Sequence, residues 1–363
     1  MHQSDGSGSV PVIIPHPDRC LQTMDGGYRP RAPHSSGYHV PMATDLETET
    51  IDFGEIRQVS VVGAAGFIGL NLCRRLLESG LKVKAIDPHE PDPGALAGHE
   101  VEHHPSLSPE SIVGSSVVFH AAGSTEPASS NVHLREDMAG TVGLTLDILE
   151  AARIAGARQI VHVSSGGTVY GPDAQVPTVE TAPTDPVCAY GISKLAAEGH
   201  LHLAERLHGI RAFNMRVSNP FGPWQDPNRG QGVVNAFLHR ALIDTPIDLW
   251  GDGTIIRDFL HVDDVISAML RVVSYEGDER IFNIGSGRGI SIATLIGDIE
   301  MMLDREVQIN RHPERPVDVP HSQLDITRAN RELGWRPRIG WNEALASARD
   351  WIESHVIMKA GRS

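Results

Sequence analysis

QVSVVGAAGFIGLNLCRRLLESGLKVKAID, residues 58–87, is the stretch that decides how this chain folds. Gln58 to Val62 form a short apolar run rich in β-branched residues, the pattern of a buried strand. FIGLNLCRRLLES repeats its apolar residues at helical spacing, and LKVKAID reads as a second strand. Gly63, Gly66 and Gly69 stand between the first strand and its helix. Glycine there lets backbone amides turn tightly toward a pyrophosphate, while the helix N-terminus offers unpaired N–H groups and the positive end of its dipole. Asp87 closes the second strand 18 residues past Gly69. An acid at that place accepts both ribose hydroxyls of NAD and repels a 2′-phosphate; its plainer reading is a turn residue before Pro88.

Outward from this unit, strand and helix patterns keep alternating. VVFHAA is a strand, the segment from Asn131 to Ala155 one long helix, QIVHVSS a strand, the segment bearing Tyr190 a helix, and RAFNMRVSNP the next strand with its exit loop. Such alternation places the chain in the α/β class, as a Rossmann-type doubly wound parallel sheet with helices on both faces. After Gly222 the order loosens into a smaller mixed α/β lobe, with a helix near Val233 to Leu242, a strand at IDLW, a helix after HVDD, a strand at RIFNIG and helices near 291–303, 324–333 and 341–354. Residues 1–54, rich in Gly, Ser, Pro and His and without period, read as a disordered or loosely attached extension. The expected organisation is therefore that extension, an NAD-binding part at 55–222, and a mainly substrate-binding lobe at 223–363 whose segments return to the sheet.

Composition narrows the partners. Asp and Glu outnumber Lys and Arg by 46 to 31, giving a formal net charge of −15, and no basic block occurs. Nucleic acid and acidic membranes are poor partners for such a chain, although local arginines and helix ends still capture small anions. No apolar run reaches the roughly 18 residues of a membrane span, and no charged-then-apolar leader opens the sequence. Cys20, Cys73 and Cys188 are an odd, scattered set, which points to a reducing compartment, the cytoplasm, and no disulfide frame. Cys188 reads as a small packing residue, and His2, His16, His34 and His39 are too dispersed for a metal site.

Tyr190 and Lys194, in CAYGISKLAAEGH, lie four residues apart on one helix face. An ammonium beside a phenol favours the ionised form. Bringing tyrosine from about 10 to near 7 takes roughly 4 kcal/mol, about what a unit charge 4 Å away supplies at an effective dielectric near 20. The spacing alone is far more often that of a solvated helix face; its weight comes from the motifs around it.

The glycine spacing G-x-x-G-x-x-G, with HAAG at the end of a middle strand and YxxxK downstream, resembles the extended short-chain dehydrogenase/reductase superfamily, in particular its UDP-glucose 4-epimerase-like nucleotide-sugar epimerases and dehydratases. The resemblance spans residues 55 to about 355 and rests on GAAGFIG, HAAG, SSGGTVYG, YGISK, RVSNPFGP, GDGTIIRDFLHVDD, FNIGSG and RPVDV followed by LGW. It implies that Gly63, Ala65, Gly66, Phe67, Ile68, Gly69 and Asp87 hold NAD, that Ala121, Ala122 and Gly123 line its path, and that Tyr190 and Lys194 also touch it. Tyr190 then exchanges a proton with a sugar hydroxyl, while Lys194 bonds the nicotinamide ribose and holds the phenol down.

One family feature is missing. Similar proteins carry Ser or Thr three residues before VYG, where this chain has Gly166; Ser165, Thr168 or a water in the space left by glycine then supplies the hydroxyl, with Ser165 ranked ahead of Thr168. Relatives that eliminate water carry Asp-Glu just before VYG, and decarboxylating relatives a glutamate beside it; Gly167 and Thr168 do neither. Asn219, Arg257 and Arg315 match positions that grip a nucleotide diphosphate, and Ser322 leaves room for a substituent at sugar C2. Asp263 and Asp264 read as the cap of the next helix rather than a metal pair.

The resemblance thus implies C4 epimerisation of a UDP-sugar with NAD retained, in carbohydrate metabolism such as polysaccharide biosynthesis. The alternatives are a reductase, decarboxylase or dehydratase of the same family, or a nucleotide-sensing or scaffold protein that has lost catalysis. It also implies a homodimer through the Asn131 to Ala155 helix and the Tyr190 helix.

Overall fold

The first strand, β1 (Gln58–Val62), is buried from Val59 onward. It lies inside a seven-stranded sheet in the computed structural model, which describes residues 53–123, 127–315 and 319–358. The expected extension, with Cys20 and the four N-terminal histidines, lies outside the described residues except for positions 53 and 54. After β1 come β2 (Lys82–Ile86), β3 (Glu102–His104), β4 (Val117–His120), β5 (Gln159–Ser165), β6 (Arg211–Val217), β7 (Asn219–Phe221), β8 (Ile247–Trp250), β9 (Ile256–His261), β10 (Ile281–Ile284), β11 (Gly289–Ser291) and β12 (Ile309–His312). The main sheet runs β10-β6-β5-β4-β1-β2-β3, with every pair parallel. Its order reverses direction at β1, between β2 and β4, which opens a crevice beyond the C-terminal strand ends.

Both faces of the sheet are covered, which is why its strands are apolar without strict alternation. Helix Phe67–Glu78 packs on one face, where its Leu72 and Leu76 join a core with Val61, Phe119 and Phe213. Helices Leu144–Ala155 and Ala189–His208 cover the other, where Val118, Ile148, Ile160 and Leu201 meet. The long helix expected from Asn131 is not one regular element. Leu134–Met138 passes into a π-helical turn, Ala139–Gly143, before Leu144–Ala155, because Thr145 Oγ1 donates back to Thr141 O at 2.7 Å in a stretch of small residues.

The C-terminal part is woven into the same body. Its β10 seats beside β6 at the edge of the main sheet, and Ile266, Met269, Phe282 and Trp335 join the core under helix Phe67–Glu78. A second core gathers Phe221, Leu238, Ile247, Phe259, Leu295 and Leu345 around the three-stranded sheet β11-β9-β7 and the parallel pair β12-β8. Helix Val262–Arg271 is capped by His261, whose ring accepts from Asp263 N at 3.2 Å, and not by the aspartates. Asp263 instead pairs with Arg74 at 3.0 Å, and Asp264 accepts from Arg338 N and Ile339 N.

Candidate functional site

Strands β1, β2, β4, β5 and β6 each bring a predicted residue to, or within two residues of, their C-terminal ends. After β1 the chain turns at Gly63, with φ 86°, and Gly63 N donates to Ile86 O at 2.9 Å. A Cβ on Gly63 would stand 2.6 Å from Ala122 N, and one on Gly69 would stand 1.9 Å from Gly63 O. The turn is therefore pressed against Ala121 and Ala122 after β4, and its helix begins at Phe67 behind an N-cap, Gly66, that has no side chain to satisfy the first-turn amides of Phe67, Ile68 and Gly69. Asp87, just after β2, reaches over this turn: its carboxylate accepts from Ala65 N at 3.2 Å and His89 N at 2.9 Å. A side-chain-free turn, uncapped amides and an overhanging carboxylate fit a pyrophosphate with its adenosine ribose.

Across the crevice, Tyr190 sits in the first turn of helix Ala189–His208. The N-cap, Cys188, makes no side-chain cap. Ser130 Oγ and Asn131 Oδ1 replace it, accepting from Tyr190 N at 3.1 Å and Ala189 N at 2.9 Å. Lys194 is 3% exposed; its Nζ donates to Val163 O at 2.8 Å and lies 5.6 Å from the centre of the Tyr190 ring. The Cβ direction of Gly123 ends 3.9 Å from the same Nζ, so the end of HAAG and Lys194 share one space. Burial pulls the Lys194 ammonium down to about 8 against the opposing charges of Glu198 and Asp137.

The phenol differs from the sequence expectation. Burial pushes the Tyr190 hydroxyl above its usual value, and Cys188 and Asp137 add to this. Desolvation of the phenolate outweighs the ammonium 5.6 Å from the ring centre, so the protein's own groups do not make Tyr190 a neutral-pH base.

The turn after β5 settles the question at Gly166. A Cβ there would lie 2.6 Å from Leu324 Cδ1 and 2.9 Å from Arg216 O. Leu324 fills the place, which leaves no room for the expected hydroxyl or for the water considered in its stead. Thr168 Oγ1 is buried with no hydrogen-bond partner among the described residues, and half-buried Ser165 ends β5 with its carbonyl accepting from Val169 N at 3.3 Å. Thr168 O lies 2.7 Å from the Cβ direction of Gly191, the residue after Tyr190; glycine allows the helix and this turn to touch.

Two of the four substrate-side residues, Asn219 and Ser322, converge here. The Cβ direction of Gly167 ends 3.9 Å from Asn219 Nδ2 and 4.0 Å from Ser322 Oγ. Arg257, on β9 beside β7, has its Nη1 held by Ile256 O at 2.9 Å and Val319 O at 2.6 Å. Arg315 is exposed, its guanidinium 3.7 Å over the Trp250 ring, which itself stacks on His312. Asp258 went unread in the sequence. Its buried carboxylate accepts from Ser286 N at 2.7 Å, Ser286 Oγ at 2.6 Å, Gly287 N at 3.2 Å and Leu324 N at 3.2 Å, and so holds the leucine that occupies the space at Gly166. Burial raises this carboxyl, and only the partners' positions, far along the chain, disclose its role.

A doubly wound sheet with a bare glycine turn facing a buried Tyr–Lys pair defines a nicotinamide-dinucleotide site of the short-chain dehydrogenase/reductase type. The chain belongs to the NAD dependent epimerase/dehydratase family, whose profile matches residues 59–285. It is 33% identical over 308 residues to the UDP-glucose 4-epimerase of Mycolicibacterium smegmatis, covering 81% of this chain and 98% of that one. It is 31% identical over 305 residues to the dTDP-4-dehydro-6-deoxyglucose reductase of Escherichia coli, covering 79% and 95%. The solved UDP-glucose 4-epimerase of Thermotoga maritima with UDP-glucose superposes with a TM-score of 0.77 at 31% identity, covering 82% of this chain and 98% of that one.

Proposed function

We propose that this protein interconverts the C4 epimers of a UDP-linked sugar and keeps its NAD between turnovers. The observation that carries the reading is the pairing of Tyr190 and Lys194 with a Ser165–Thr168 turn that has hydroxyls and no carboxylate, so that proton exchange at one hydroxyl is supported while elimination and decarboxylation are not. Bound NAD supplies the reversible hydride exchange at the sugar carbon and, when oxidised, the positive charge that favours a phenolate. Tyr190 takes the proton from O4 and returns it. Ser165, with Thr168 behind it, hydrogen-bonds that oxygen; Lys194 holds the ribose side of the cofactor by its ammonium. Asn219, Arg257 and Arg315 grip the diphosphate, and Ser322 beside Gly167 leaves space at C2.

The M. smegmatis and T. maritima relatives, named as UDP-glucose 4-epimerases, support this choice. The E. coli reductase favours a second reading, net reduction of a 4-keto nucleotide sugar. Incubation of the pure protein with UDP-glucose, UDP-N-acetylglucosamine and UDP-glucuronate, followed by NMR, separates them. A C4 epimer without NADH consumption is expected, and Tyr190→Phe lowers its rate by about 10²-fold or more while leaving NAD bound. Absence of any C4 epimer overturns the proposal.

The same reading assigns residues 55–222 to the cofactor and 223–363 mainly to the substrate. It also includes a homodimer, supported by the exposed Leu134, Met138 and Leu146 on one helical segment and Ile192, Leu203 and Leu207 on its neighbour, an apolar surface a second copy would cover. Free, buried Cys73 and Cys188 support a reducing, cytoplasmic setting. Among the described residues no helix is long and apolar enough to cross a membrane.

A further inference from the structure

We infer that Glu198, one helical turn beyond Lys194, is the positioning residue that locks the three segments carrying the reactive groups into one geometry and supplies the counter-charge for Lys194. The inference rests on the reading of Tyr190 as the base and of Lys194 as the ammonium that holds the cofactor beside it, and goes beyond it.

Glu198 lies on helix Ala189–His208 and is buried with Arg216, the two side chains being 6% and 5% exposed. Its Oε1 accepts from Ser164 Oγ at 2.5 Å and Arg216 Nε at 3.0 Å, and its Oε2 from Arg216 Nη2 at 2.7 Å. Each partner stands next to the site. Ser164 precedes Ser165 at the end of β5, and Ser164 and Arg216 are register partners across β5 and β6. Arg216 lies near the end of β6, three residues before Asn219, and its guanidinium covers the Tyr170 ring at 4.9 Å. Tyr170 closes the turn that holds Thr168 and donates to Asn283 Oδ1 at 2.7 Å. One carboxylate thus ties the tyrosine helix, the hydroxyl turn and the Asn219 strand together by charge-assisted hydrogen bonds, which are short and directional.

The electrostatic part follows from what surrounds Lys194. From β4 and β5 it faces His120 and His162, whose rings lie 4.8 Å apart, both kept neutral by burial and by the Lys194 charge. From helix Leu134–Met138 it faces Asp137, which is itself bonded by Ser193 Oγ at 2.5 Å. Along its own helix it has Tyr190 and Glu198. With two neutral imidazoles, a phenol and the Arg216 guanidinium bound to Glu198 nearby, Glu198 and Asp137 are the anions that keep a buried ammonium protonated. A buried Arg–Glu pair alone adds little net stability, since desolvation of both ions offsets their attraction, so its placement at this junction calls for another role.

Glu198→Gln is the test, on the full-length protein with and without NAD. The chain has four lysines, Lys82, Lys84, Lys194 and Lys359, so ¹³Cε-lysine NMR follows the Lys194 titration directly. In Glu198→Gln this titration moves down by about one unit. The alkaline fall of the kcat profile moves down with it, and kcat drops about tenfold or more while KM for the sugar nucleotide changes less than about threefold. Ser164→Ala lowers kcat and leaves the Lys194 titration in place, which separates the two roles of Glu198. Should Glu198→Gln fail to fold because Arg216 is stranded, Glu198→Asp, which keeps the charge on a shorter arm, is assayed instead: its kcat falls about tenfold with the Lys194 titration in place, and a kcat within about twofold of wild type overturns the positioning role. An unmoved Lys194 titration together with kcat within about twofold of wild type overturns the inference. Because the lysine titration needs no substrate, it reads Glu198 even if no sugar is turned over, an outcome that would count against the epimerase reading alone.

Discussion

Gly69→Ala is the substitution whose consequence the structure states most directly. The added Cβ would stand 1.9 Å from Gly63 O, 2.8 Å from Gly63 C and 3.1 Å from Ala64 Cα, all backbone atoms. Gly63 has no way to retreat. Its N–H is tied to Ile86 O, and it is already packed against the backbone of Ala121 and Ala122. The turn must open by about 1.5 Å to restore ordinary contact, a strain of about 1–3 kcal/mol for overpacking. The same displacement turns the first-turn amides away from their anion. Two weakened hydrogen bonds to a charged group amount to about 3 kcal/mol, which is roughly 100-fold in Kd. Calorimetric titration of cofactor-stripped protein with NAD reads this, with thermal unfolding alongside. Gly297→Ala is the control: it lies inside helix Ile292–Leu303 with nothing within 4 Å of its Cβ direction. It should gain about 0.5–1 kcal/mol of stability and bind NAD as wild type. Gly69→Ala binding NAD within about threefold of wild type would refute the account of the turn.

Two further outcomes follow. Burial holds His162 at about 3 and His120 well below its usual value, so below pH about 6.5 the unfolded chain takes up protons that the folded one refuses. Their contribution to stability therefore falls as the pH drops from about 6.5 toward 3, by roughly 2 kcal/mol at pH 5 from His162 alone, against an opposing gain from Asp264, whose carboxyl burial raises to about 6; the urea midpoint of His162→Asn should thus change less unfavourably from pH 7 to pH 5 than that of the wild type, and equal changes in the two would contradict it. Asp87→Asn keeps an acceptor for Ala65 N but removes the charge that repels a 2′-phosphate, so the ratio of NADP to NAD affinity should rise about tenfold or more; an unchanged ratio would mean that Asp87 is only the turn residue before Pro88.

Much of the site was readable because it is local. The glycine turn, Asp87 and the Tyr190–Lys194 spacing each depend on a few consecutive residues with a fixed geometry, and the strands β1, β2, β5 and β6 announce themselves by apolar runs between helical patterns. Other pieces were not. The polar edge strand β3, with sequence EHH, has no hydrophobic pattern to show, and the short β11 and β12 exist only through pairing with β9 and β8. His261, not the two aspartates after it, caps the next helix, since the aspartates are drawn off by Arg74, Arg338 and Ile339.

The sequence by itself determined the doubly wound sheet, the family and the residues facing the crevice, since strand and helix periods and short motifs are carried by neighbours along the chain. Tertiary structure decided what surrounds those residues. Leu324, 158 positions beyond Gly166, removes the space for a hydroxyl there, and Asp258 holds that leucine in place. Burial raises the Tyr190 phenol that spacing alone predicted to be lowered, and Glu198 binds the ends of β5 and β6 to the helix of Lys194. Desolvation and long-range packing depend on which distant segments close over a group, and no local spacing encodes that.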